Sequence, residues 1–132
     1  MNLPHNIQEW VTKAEADFQT AVTMARKKTN PVPDVVGFHC QQCIEKYLKA
    51  FLTWKMLNFS KTHDLLGLLE LALLSEPILE KYRDDLRSLN PFSVQFRYPG
   101  ENADIEEAKE ALTRMKKLRK YFQERLGIKE ER

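Results

Sequence analysis

The chain has 132 residues and a formal net charge of +2, with 42% of its residues apolar and 30% charged. That is ordinary soluble composition, read as one domain over residues 1–132 with an ordered core at about 6–127. The charge is too small to point to nucleic acid by itself, and no apolar run reaches the ~18 residues of a membrane span. Two cysteines and no export signal place the protein in the cytoplasm with its thiols reduced.

Few glycines and no convincing period-two alternation leave strands little support, whereas helical periodicity is plain. Ile7, Trp10, Ala14, Phe18, Ala21 and Ala25 give one apolar face to a first helix over Asn6 to Lys28. The segment "TNPVPD" breaks it, and a second helix runs from Pro33 to Leu57. "SKTHD" reads as a loop in which Thr62 or Asp64 caps a leucine-rich third helix, "LLGLLELALLSE". Pro77 opens a fourth helix reaching Leu89. After the irregular "NPFSVQFRYPGEN", the last helix spans Ala103 to Leu126, with Gly127 as its stop. Its acids Asp104, Glu106 and Glu107 lie early and its bases Arg119, Lys120 and Arg125 late, the order the helix dipole favours. The fold class is therefore all-α, a mainly up-and-down bundle of four to five helices.

The second helix carries "FHCQQCIEKYLKAFL", with both cysteines three residues apart. At about 100° per residue, Cys40 and Cys43 fall within a broad apolar arc with Val36, Tyr47, Ala50 and Trp54, continued by Ile44, Leu48, Phe51 and Leu52. A zinc site lacks its second cysteine pair, and a redox pair belongs at an exposed helix start. The thiols read as packing, and no metal or other cofactor is expected. His39, Gln42, Glu45, Lys46 and Lys49 share the remaining arc. That stripe is either a solvated face or a cradle for a phosphate-bearing ligand. The last helix is rich in lysine and arginine, which reads as an RNA-contacting strip or as a solvated face over a core of Leu112, Met115, Leu118, Phe122 and Leu126.

"FHCQQCIEKYLKAFL", "KTHDL" and "RYPGE", in that order and spacing, resemble the HEPN domain family, and the likeness extends from "WVTKAEADFQTA" to "AKEALTRMKKLRKYF". The resemblance implies a bundle like the substrate-binding domains of nucleotidyltransferases, a homodimer, and the binding of nucleotides or RNA. It also implies a partner, a minimal nucleotidyltransferase, in a toxin–antitoxin type of system. The signature of the second helix falls on His39, Gln42, Glu45, Lys46 and Lys49, the loop motif on His63 and Asp64, and the motif before the last helix on Arg97, Tyr98 and Pro99. His39, Gln42, Lys46, Lys49, His63, Arg97 and Tyr98 are thus the expected ligand-binding residues. Ribonuclease members follow an arginine with a histidine after four to six residues. Here Arg97 is followed by Asn102, which transfers no proton near neutrality. Arg97 is then the one candidate for catalysis, and the chain reads as a binding module rather than an enzyme. Two alternatives stand beside it: a metal-independent endoribonuclease toxin using Arg97, and a purely structural dimeric scaffold for a partner enzyme.

Overall fold

A computed structural model of the chain describes residues 3–94 and 98–128. Among the described residues five α-helices follow one another: α1 (His5–Ala25), α2 (Pro33–Trp54), α3 (Leu65–Leu73), α4 (Arg83–Leu89) and α5 (Ile105–Leu126). Two 3-10 helices, Pro77–Tyr82 and Asn90–Ser93, flank α4, and no strand occurs among the described residues. The fold is all-α.

The ends of the helices follow from local chemistry. Pro33 sits in the first turn of α2, where a missing N–H costs nothing. Asp64 caps α3 by accepting the Leu66 amide at 3.1 Å, and Asp104 and Glu107 close a reciprocal capping box at the start of α5. Gly127 ends α5 with φ of 73°, the left-handed conformation glycine adopts without strain. The expected reach of α2 to Leu57 is corrected to Trp54. Met56 takes φ of 58°, its amide turns back to the Thr53 carbonyl, and the Leu57 amide donates to the Leu52 carbonyl. That is a Schellman stop made without glycine. Likewise α1 ends at Ala25 instead of Lys28, α3 ends at Leu73, and the expected fourth helix divides into a 3-10 turn and α4. Asn90 joins α3 to the end of α4, accepting from the Leu65 amide at 2.8 Å and donating to Asp64 at 3.0 Å.

The core forms around α2, which packs on α1 along one side and α5 along another. Tyr47 stacks on Phe122 with ring centroids 6.2 Å apart, and Phe51 meets the same ring at 5.8 Å. Met115, Leu118, Phe122 and Leu126 are buried as the periodicity of α5 predicts, with Leu112 half-buried. Gly37 of α2 is buried against the Phe92 ring, and a β-carbon there would lie 2.1 Å from Phe92 Cδ1. The glycine lets the 3-10 turn at Asn90–Ser93 press on the helix backbone. Cys40 and Cys43 are fully buried and unbridged. Burial raises the Cys40 thiol to about 12 and lifts Cys43 well above the ordinary thiol value. These thiols pack and do not ionise near neutrality.

Candidate functional site

The polar stripe of α2 is where structure departs most from a solvated face. Glu45 and Lys49 are buried, with side-chain exposures of only 3% and 8%, and Gln41 is completely covered. The reason lies outside α2: α1 lies along one flank of the stripe, and the His63 backbone reaches it from the loop before α3. Charge removed from water needs a partner, and two carboxylates supply it.

Asp17 of α1 is the first. It accepts from His39 Nδ1 at 2.8 Å and from Lys46 Nζ at 2.5 Å, so one carboxylate fixes two signature residues. His39 and Lys46 keep side-chain exposures of 26% and 22%, leaving both partly open to solvent. A neutral His39 donating from Nδ1 carries its lone pair on Nε2. Glu45 is the second collector. It accepts from Lys49 Nζ at 3.0 Å and from His63 Nδ1 at 2.9 Å, with Gln41 and Gln42 at 3.4 Å each. Gln41 also donates to the His63 carbonyl at 2.9 Å and accepts from Gln42 at 2.8 Å. The ammonium of Lys49 lies 5.5 Å from the Trp10 ring centroid and 5.9 Å from that of Phe59, within cation–π range.

A third cluster continues the network toward α5. Glu15 accepts from Tyr47 Oη at 2.5 Å and from Arg119 Nε and Nη2 at 2.8 and 2.7 Å. Burial pushes the Glu15 carboxyl up, but the hydrogen bonds from Arg119 and Tyr47 outweigh it and hold the group below the usual carboxylate range. Burial and the adjoining Glu15 carboxylate drive Tyr47 the other way, so its phenol stays protonated.

The structure therefore brings His39, Gln42, Lys46, Lys49 and His63 together along α2 and its adjoining loop, each held by a named partner. Tyr98 stands apart, exposed in the connection before α5. Arg97 lies outside the described residues. The basic strip of α5 has the buried apolar face that the solvated-face reading expects, with Lys109, Lys116, Lys117 and Lys120 exposed, but part of it is engaged in ion pairs. Arg114 and Lys117 clamp the buried Asp85 of α4, Arg119 takes Glu15, and Arg125 takes Glu76. These four cations tie α5 to the rest of the bundle, whereas Lys109, Lys116 and Lys120 are exposed. Asp17 and Glu15 went unnoticed in the sequence, although Asp17 stands among Ala14, Phe18 and Ala21 on the apolar face of α1. An acid on such a face signals a buried partner.

These features define an all-α bundle with an ion-paired polar seam running along its central helix. A family model described as HEPN domain matches residues 7–126, nearly the whole chain, and the chain belongs to the HEPN domain family. Neither a curated protein nor a solved structure matches it. Among the described residues no helix is long and apolar enough to cross a membrane.

Proposed function

We propose that this chain is a cytoplasmic HEPN module that binds a nucleotide or RNA phosphate, without cleaving it, as a homodimer partnered by a minimal nucleotidyltransferase of a toxin–antitoxin type. The observation that carries the reading is family membership over residues 7–126, since HEPN domains are generally nucleotide- or RNA-related and often dimerise. The seam adds support. His39 and Lys46 already converge on an oxygen anion, that of Asp17, and both stay partly open to solvent. A phosphate oxygen competing with that carboxylate meets preformed donors. Gln42, Lys49 and His63 adjoin through Glu45, and Arg97 and Tyr98 complete the proposed set. Asn102 in place of histidine leaves no proton donor after Arg97, so the proposal contains no cleavage step.

Calorimetric titration of ATP and of a short RNA into wild type and Lys46→Ala tests this, with thermal melts confirming that the variant folds. The expected result is binding by wild type and a loss of about tenfold or more in the variant. Metal-free cleavage of labelled RNA that disappears in Arg97→Ala would instead establish the ribonuclease.

One observation favours the purely structural dimeric scaffold as a second reading. With neutral histidines, the two lysines of the seam are balanced by the carboxylates of Asp17 and Glu45, so the stripe presents no surplus positive charge. Absence of nucleotide and RNA binding by wild type, together with co-purification of the nucleotidyltransferase, would put that reading first.

A further inference from the structure

Away from the polar seam, at the start of α2, a cavity of about 320 Å³ opens between the end of α1, the turn at Pro31–Pro33 and the first turns of α5. Its walls are aliphatic: Met24 from α1, Val36 from α2, and Ile105 and Leu112 from α5. Three lysines, Lys27, Lys28 and Lys109, also line it, and no carboxylate does among the described residues. The charge pattern follows from the geometry of α5. Residues 105, 108, 109 and 112 share one face at helical spacing, and Glu106, Glu107 and Glu110 point to other faces. Among the described residues Lys27 and Lys28 have no ion-pair partner, and Lys109 only approaches the exposed Glu106 at 3.6 Å.

A hollow of this size stands at the small end of ligand pockets, which run from about 300 to 1,000 Å³. Its chemistry narrows the occupant further. Nucleobases are held by aromatic stacking and by hydrogen bonds to their edges. Among the described residues none that lines this hollow is aromatic, and none carries a hydroxyl or amide side chain. The walls suit an alkyl body, and the lysines suit one anionic head. Ile105, about half exposed at the mouth, extends the apolar surface outward.

We propose that this pocket binds a small aliphatic anion, an alkyl chain bearing a carboxylate or phosphate, with the chain against Val36, Ile105 and Leu112 and the head among the three lysines. The site shares no residue with the polar seam: Val36 lies one helical turn, about 5 Å along the axis, from His39 at the near end of the seam and about 20 Å from Lys49 at the far end. The proposal therefore stands or falls independently of the nucleotide reading.

The test is a nuclear magnetic resonance titration of the full chain with octanoate and octyl phosphate, beside octylammonium and adenosine monophosphate. Saturable amide shifts confined to residues 24–36 and 105–112 with the two anions, and none with octylammonium, are the expected result. The triple variant Lys27→Glu/Lys28→Glu/Lys109→Glu should weaken octanoate by at least about tenfold. Ile105→Asp, a change at an exposed position, should also abolish binding by placing a carboxylate at the mouth. Octyl phosphate binding alongside octanoate shows that the pocket reads the shared anion and chain; octanoate alone binding would restrict the head to carboxylate. No saturable shift, equal shifts with octylammonium, or undiminished binding by the triple variant would overturn the proposal. So would tighter binding of adenosine monophosphate at the same resonances, which would make this a nucleotide pocket.

Discussion

Replacing Glu76 by glutamine probes how the bundle is tied together. Glu76 precedes the 3-10 turn at Pro77 and is held by Arg125 of α5, which approaches it through Nε and through Nη2, the latter at 2.8 Å; Tyr121 donates to it at 2.5 Å. The Arg125 guanidinium and the Tyr121 hydroxyl hold the carboxyl at about 2 against the pull of burial. Relative to an ordinary glutamate near 4.3, that displacement has a ceiling of about 3 kcal/mol. Arg125 is 37% exposed, and solvent screening brings the expected loss to about 2 kcal/mol at pH 7. For a domain of this length that is a fall in melting temperature of roughly 7 °C, read by circular dichroism. Because the folded-state pKa is depressed, the contribution is complete above the unfolded value near 4.3 and disappears as the pH falls toward about 2. The difference between wild type and Glu76→Gln should therefore shrink to about half by pH 3. Melting temperatures within about 2 °C of each other at pH 7, or a difference that does not change with pH, would refute the reasoning.

Further outcomes follow from packing. Gly37→Ala should destabilise the protein by about 2 kcal/mol in urea unfolding, although alanine ordinarily gains about 1 kcal/mol over glycine within a helix, because the new methyl group meets the Phe92 ring. Combining it with Phe92→Leu should recover part of the loss, and no loss in the single variant would show that the ring moves freely. Cys40 and Cys43, buried with raised thiol pKa values, should resist Ellman's reagent at pH 8 in the native protein and both react in denaturant. Rapid native labelling would place them at a surface.

Much of this protein is legible in one dimension because its determinants are local. The spacing of Met115, Leu118, Phe122 and Leu126 marks the buried face of α5, Asp64 and Gly127 mark helix ends, and the turn angle of a helix carries Cys40 and Cys43 inward. A periodicity argument needs only neighbours a few residues away. The stop at Met56 lies beyond that reach, since its residue type gives no hint of a left-handed backbone.

The polar stripe shows where local reasoning ends. The sequence by itself determined that His39, Gln42, Glu45, Lys46 and Lys49 share one side of α2, because 100° per residue is a property of any helix. Only the tertiary structure decided that Glu45 and Lys49 on this side are covered while His39 and Lys46 stay partly open, that Asp17 takes His39 and Lys46, and that Glu45 takes Lys49 and His63. Those partners come from 18 to 29 residues away in the chain, apart from the pair Glu45 and Lys49 within α2. The same holds for the aliphatic pocket, whose walls join residues 24–36 to residues 105–112. Burial and electrostatic pairing depend on which helices meet, and that choice is made by the whole hydrophobic core at once.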